Sequence, residues 1–302
     1  MQEQILLYFQ NIGSPVLDLF FELITMLGEK NILIAFIAWI FWNIDKKKGF
    51  ILSFTLLFSL FINVVLKISI HNSRPFEVIP EIVGKRIHTA TGYSFPSGHT
   101  QGATSFYVVL SLLLKKRWAY VAAVVISVLV AFSRLYLGVH WPIDVIGGLL
   151  AGSGIAVIMY HVFSTIYDNS VSRDLLVVFS SIGALLTLTV FLIINRFYFA
   201  GDLIITDLMK ITGVFAGASV GFILEEKYVK FSTTGNKIKK VLRFIIGLAL
   251  ALVLLSGLKL LLPPVDAFHF LRYALTGLWI TWLFPVIGIK LGLFTPVGIR
   301  HA

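Results

Sequence analysis

Long apolar runs separated by short polar clusters organise this sequence from end to end. Residues 1–28 read as two short amphipathic pieces broken at Gly13–Pro15, the second carrying Asp18 and Glu22. That second piece, about 14 residues, falls short of the roughly 20 a helix needs to cross a bilayer. It is expected to lie in the interface or to enter only partway. Residues 30–44 (KNILIAFIAWIFWNI) are apolar and end at Asp45–Lys48. Phe50–Ile70 is a clean span, about 31 Å of helix at roughly 1.5 Å per residue. The segment His71–Ser97 is the longest non-apolar stretch of the first half.

Further spans are expected at 98–114, closed by Lys115–Arg117, at 118–137, and from Pro142 to about 163. Proline fits a first helical turn, where its missing N–H costs little. After the polar loop STIYDNSVSR come runs at 174–194, 204–224, 243–262 and 269–291. The predicted fold class is all-α, a polytopic membrane helical bundle with no soluble domain.

Composition strengthens this picture. The 302 residues are 58% hydrophobic and 13% charged, with mean hydropathy +0.91, against roughly 45–50% apolar residues in soluble domains. No cysteine occurs, which excludes disulfides and thiolate metal sites. MQEQILLYFQ lacks the basic start of a cleavable signal, so the first spans are expected to direct insertion.

The net charge of +10 sits in clusters between apolar runs rather than in a basic stripe with interleaved aromatics, which argues against a nucleic-acid partner. If every run from residue 30 onward crosses, Asp45–Lys48, Lys115–Arg117, Lys227–Arg243 and Lys290–Arg300 share one side, expected to be cytoplasmic. Segments 71–97, 138–141, 195–203 and 263–268 then lie outside. A multi-pass protein of the cell membrane is expected.

Three polar clusters fall on that outer side. In SRLYLGVHWPID, Ser133–Asp144, an arginine, a histidine and an aspartate sit where burial alone would not favour them. KISIHNSRP contributes Lys67 and Arg74, and PSGH contributes Ser97, Gly98 and His99. The three cations Lys67, Arg74 and Arg134, with backbone N–H groups where a helix starts at Ser97–Gly98, make a natural anion cradle. A phosphate monoester, at about −1.5 to −2 charge, matches it. His99 and His140 supply a nucleophile and a general acid if one is neutral and the other protonated. Asp144, one helical turn after His140, can accept from one ring nitrogen and leave the other to attack phosphorus.

Taken singly, each residue has an ordinary explanation. Lys67 and Arg134 could snorkel to headgroups, Arg74–Pro75 could be a turn, and His140–Trp141 an interfacial anchor. A metal site is disfavoured because the cluster offers one carboxylate among cations that repel a divalent ion. His71, His88, Glu77 and Glu81 read as solvated loop residues, and Tyr93, Phe95 and Tyr136 as interfacial aromatics that could line an acyl path.

Together the three segments resemble the signature motifs of the type 2 phosphatidic acid phosphatase (PAP2) superfamily. The family pattern is a lysine seven residues before Arg-Pro, then Pro-Ser-Gly-His, then Ser-Arg, five residues, His, three residues and Asp. Every position is met here, over roughly residues 1–165. The resemblance implies a PAP2-type catalytic membrane core in 1–165 and an additional transmembrane region in 166–302. It implies that His140 is the nucleophile forming a phosphohistidine, that Asp144 orients it, and that His99 protonates the leaving group. Lys67, Arg74, Ser97, Gly98 and Arg134 would hold the phosphoryl oxygens, with no metal or cofactor required.

The expected activity is hydrolysis of a lipid phosphate or diphosphate, either a polyprenyl diphosphate such as undecaprenyl diphosphate or a phosphatidate-type lipid. The cluster sits at headgroup level, so a membrane lipid substrate could enter sideways with its tails in the bilayer. Three rivals use the same site: cleavage of a soluble phosphoester, as in the related glucose-6-phosphatases; phosphoryl transfer to an alcohol; and a transporter or flippase that binds without cleaving. The vanadium haloperoxidases share the anion motif but are soluble.

The second half carries no comparable signal. Gly213, Gly217 and Gly221 recur every fourth residue, a helix-packing pattern. Asp202, Asp207, Lys210, Lys259, Asp266, His269 and Arg272 fall near outer span ends, where most charges are merely solvated. No second Pro-Ser-Gly-His and no second Ser-Arg to Asp pattern occurs.

Overall fold

A computed structural model describes residues 1–197 and 203–297. Asp202, Arg300 and the middle of the expected outer segment 195–203 lie outside the described residues. The helices are α1 (Gln2–Asn11), α2 (Pro15–Met26), α3 (Lys30–Asn43), α4 (Lys46–Ile70), α5 (Pro75–Val78), α6 (Gly98–Leu114), α7 (Arg117–Tyr136) and α8 (Pro142–Asp168), then α9 (Ser170–Phe197), α10 (Leu203–Leu224), α11 (Lys237–Leu261), α12 (Asp266–Leu278) and α13 (Phe284–Lys290). Wide π-type turns at Glu225–Val229 and Trp279–Leu283 extend α10 and join α12 to α13. Two short strands, β1 (Phe231–Ser232) and β2 (Thr295–Pro296), pair antiparallel. The protein is otherwise all-α.

Among the described residues, seven helical segments are long and apolar enough to cross a membrane. An eighth candidate is α2 with α3, bent by 48° at Leu27–Glu29. The remaining expected span, α6, has 17 residues, about 26 Å of helix at roughly 1.5 Å per residue. This is a multi-span membrane protein.

The chain forms two compact units. The first comprises Met1–Ile34 with Ile51–Phe163, the second Ala35–Phe50 with Ser164–Ala302. Residues 35–50, which a division at 165 leaves with the first half, therefore group with the second. The reason lies in long-range polar contacts inside the second unit. Trp42 Nε1 donates to the carbonyl of Ile280 at 2.9 Å, the buried Arg243 donates to Trp42 O at 3.4 Å, and Lys46 pairs with Glu225 at 2.9 Å.

Within the second unit, α10 and α12 meet along the predicted small-residue stripe. A Cβ on Gly217 would collide with the carbonyl of Ala274, and one on Gly221 with Thr281 Oγ1. The stripe is a packing device, as its spacing predicts.

The first unit carries all three polar clusters. In its opening piece, Leu6 of α1 is fully buried against Ile82, Ala131, Leu135 and Val145. The side chain of Ser14 accepts from Leu17 N at 3.4 Å and so caps α2, with Pro15 in the first turn. Helices α6 and α8 approach backbone to backbone, because a Cβ on Gly148 would lie 2.9 Å from Ser97 O and one on Gly152 would lie 2.7 Å from Gln101 O. A buried polar ladder ties α4 to α6. Asn63 Nδ2 donates to Gln101 Oε1 at 2.9 Å, Gln101 Nε2 to Ser59 O at 2.8 Å, and Ser105 Oγ to Ser59 Oγ at 2.7 Å. Such pairing satisfies amides that would be costly alone in an apolar interior.

Candidate active site

Helix direction brings the three motifs together. Helix α4 runs from Lys46–Lys48 to Lys67 and α7 from Arg117 to Arg134, whereas α6 leaves the site at Gly98 and ends beside Lys115. The turn between α7 and α8 then delivers His140. Gly138 allows that turn by adopting a left-handed φ of +67°, where a side chain is disfavoured, and a Cβ there would lie 3.0 Å from Val83 O.

His140 is 2% exposed and is flanked by opposite hydrogen-bonding chemistry. On the Nδ1 side, Asp144 Oδ2 lies at 3.3 Å and Ser94 Oγ at 3.4 Å. On the other side, Arg74 Nη1 lies 3.3 Å from Nε2. Asp144 is itself held by three donors: Ser94 Oγ at 2.5 Å and Trp141 N at 2.8 Å to Oδ2, and Asn72 Nδ2 at 3.5 Å to Oδ1. The PSGH segment is tied to the same helix through Ser97 N, which donates to Asp144 O at 3.0 Å.

The cations are buried, and backbone carbonyls position Lys67 and Arg74. Arg74 donates through Nε to Gly92 O at 2.9 Å, through Nη1 to Val139 O at 2.9 Å and through Nη2 to Thr91 O at 2.8 Å. Lys67 Nζ donates to Thr91 O at 3.1 Å and Tyr93 O at 2.5 Å. Carbonyl oxygens 91–93 thus hold two like charges close together. Arg134 is fully buried; its Nη1 donates to Thr25 Oγ1 at 2.8 Å, while Nε and Nη2 have no protein hydrogen-bond partner. His99 Nε2 is likewise buried without one. Buried polar nitrogens left unpaired are costly.

Burial first, then the charges of Arg74, Arg134, Lys67 and His99, push the His140 pKa well below its ordinary 6.5. Ser97 is buried at the α6 N-terminus; its hydroxyl accepts from Thr100 Oγ1 at 3.0 Å instead of capping the helix. Gly98 begins α6, where a Cβ would lie 3.2 Å from Asn63 Oδ1.

Lys67, Arg74, Ser97, Gly98, His99, Arg134, His140 and Asp144 therefore belong to one cluster. His71, His88, Glu77 and Glu81 are exposed, although Glu77 Oε2 accepts from Arg74 N at 2.8 Å and helps seat the arginine. Tyr136 is 2% exposed, stacks on Phe21, and its hydroxyl donates to Asp18 at 2.6 Å. Ser94, Asn72 and Thr25 are site contacts with no signal of their own in the sequence. Asn63 and Gln101 did carry one, as amides inside apolar runs. Among the described residues, no three His, Asp or Glu side chains group as metal ligands.

Residues 48–168 match the model of the PAP2 superfamily, and residues 209–296 match that of the PAP2 superfamily phosphatase transmembrane extension. Phosphatidylglycerophosphatase B of Bacillus subtilis is 33% identical over 154 residues, covering 47% of this chain and 72% of that protein. The protein YbjG of Escherichia coli K12 is 36% identical over 123 residues, 40% of this chain and 60% of that one. An undecaprenyl-diphosphatase of Sulfolobus acidocaldarius is 44% identical over 75 residues, 25% of this chain and 36% of that one. The chain thus spans less than two thirds of the length of the last two relatives. Its motifs, and its match to most of a B. subtilis relative, make it a member of the PAP2 superfamily.

Proposed function

We propose that this protein is a membrane lipid phosphatase that cleaves a lipid phosphate or diphosphate through a phosphohistidine, without a metal. The observation that carries this reading is the pairing around His140. A carboxylate on the Nδ1 side and a guanidinium on the Nε2 side both favour the tautomer with the proton on Nδ1 and the lone pair on Nε2.

The chemistry follows from these groups. The open Nε and Nη2 of Arg134 offer a bidentate grip on phosphoryl oxygens, and Lys67, Arg74 and the N-terminus of α6 add to the positive field. As the phosphoryl group settles, Arg74 shifts its Nη1 contact from His140 to a phosphoryl oxygen. The Nε2 lone pair forms a bond to phosphorus while the bond to the leaving oxygen breaks, and His99 gives that oxygen its proton. Water, deprotonated by His99, then attacks the phosphohistidine and releases phosphate, restoring both histidines. Preorganised cations do the work a metal would otherwise do, stabilising charge on the transferring group.

The substrate class we favour is a polyprenyl diphosphate or phosphatidate-type lipid. Membrane-spanning helices around the site support a lipid, and relatives named for undecaprenyl diphosphate and phosphatidylglycerophosphate support both kinds. We place the site at the extracytoplasmic face of the cell membrane, because it lies at the helix ends opposite Lys46–Lys48 and Lys115–Arg117. The test is phosphate release by the purified full-length protein from a panel of lipid phosphates and diphosphates, alongside His140→Ala. Release that survives the substitution refutes the mechanism.

A further inference from the structure

The α2–α3 junction presses on the general-acid side of the site. Gly28 sits so close to α6 that an added Cβ would lie 2.9 Å from His99 O and 3.3 Å from His99 Cβ. The next two residues are charged. Glu29 Oε1 accepts from Arg86 Nη2 at 2.5 Å, and Lys30 begins α3 within electrostatic reach of His99. Arg86 and Glu29 in turn act on Arg134. The Arg86 Nε is buried without a hydrogen-bond partner. Its backbone adopts φ +53°, a left-handed conformation rare for a residue with a side chain, and Arg86 O accepts from Thr89 N at 3.0 Å and Thr89 Oγ1 at 2.9 Å. Glu29, Lys30 and Arg86 lie outside the three motifs.

We infer that Arg86, braced by Glu29, and Lys30 form a second anion subsite on the leaving-group side of the phosphoryl pocket, and that it holds the inner phosphate of a lipid diphosphate. The inference rests on the phosphatase reading and narrows it. His140 attacks the terminal phosphorus, and the bridging P–O bond breaks with its electron pair passing to the bridging oxygen. That oxygen takes the proton of His99, and the product that departs is a lipid monophosphate. Its phosphate departs on the His99 side, toward Lys30, which acts electrostatically on His99, and Arg86, which acts on Arg134. A monophosphate ester leaves a neutral alcohol instead and gains nothing from these two cations. The subsite therefore selects diphosphates.

The test compares kcat/KM of the full-length protein in detergent micelles on a polyprenyl diphosphate and on the matching monophosphate. Wild type is expected to favour the diphosphate. Arg86→Gln and Lys30→Gln are each expected to lower the diphosphate-to-monophosphate ratio about ten-fold, the scale of one lost charge-assisted hydrogen bond, and Arg86→Lys is expected to keep more of it. Both rates falling together at an unchanged ratio would show a purely structural role and overturn the proposal. Wild-type preference for the monophosphate would overturn it too, with the phosphatase reading intact. If wild type releases phosphate from neither, the phosphatase reading itself fails, and this inference with it.

Discussion

Arg74 Nη1 lies 3.3 Å from His140 Nε2, so a side chain that can only donate faces the nitrogen expected to attack phosphorus. The proposed mechanism requires that nitrogen to be unprotonated, and Asp144 Oδ2 lies 3.3 Å from the opposite ring nitrogen.

Asp144→Asn is the sharpest test of this arrangement. An amide can present an N–H to Nδ1, which favours the wrong tautomer and places a proton on the attacking nitrogen. Phosphate release is expected to fall by roughly 10³-fold or more, as for comparable carboxylate-to-amide changes behind a catalytic histidine. Thermal unfolding in detergent checks that the protein remains folded.

Ser94→Ala removes a 2.5 Å hydrogen bond to the same carboxylate. A bond to a charged group is worth roughly 1.5–3 kcal/mol, so kcat is expected to drop about ten-fold or somewhat more. An unchanged kcat would remove Ser94 from the positioning network.

The depressed pKa of His140 sets a pH dependence. Because its pKa lies below the ordinary 6.5, the neutral, nucleophilic ring persists as pH falls through that value. The acid limb of the kcat/KM profile, which reports the free enzyme, is expected below 6.5 and to be absent from any residual activity of His140→Ala. An acid limb above 6.5 that depends on His140 contradicts the buried neutral ring.

Chelation gives a further check. In the proposed mechanism Lys67, Arg74 and Arg134 balance charge on the phosphoryl group, so phosphate release is expected to be unchanged in EDTA. Loss of activity that a divalent ion restores would require a different mechanism.

Packing of the site can be tested on a single helix. Gly152→Ala forces a Cβ to within 2.7 Å of Gln101 O and 2.8 Å of Thr104 Cβ, whereas Gly154→Ala meets nothing within 4 Å. The first change is expected to cost roughly 1–3 kcal/mol and to lower both Tm and activity, the second to leave both near wild type.

The motif residues were legible because phosphoryl chemistry needs particular residue types at set spacings. The spans were legible because a bilayer demands apolar runs of set length. Helix direction then implied that Lys67, His99 and His140 share one membrane side. None of this reached the fully buried Leu6 of α1, because a short amphipathic piece reads alike whether it meets lipid or protein.

What the sequence alone determined about this protein is its all-α membrane architecture, its membership of a superfamily and the identity of its cluster of cations, histidines and carboxylate. Only the tertiary structure decided which groups aim that cluster. Ser94 finds Asp144, Thr25 finds Arg134, and Trp42 finds Ile280 across 238 residues. Hydrogen bonds depend on distances and angles in space, and a serine or threonine that makes one looks in sequence like any other. The same holds for Gly28, which the fold brings close to His99.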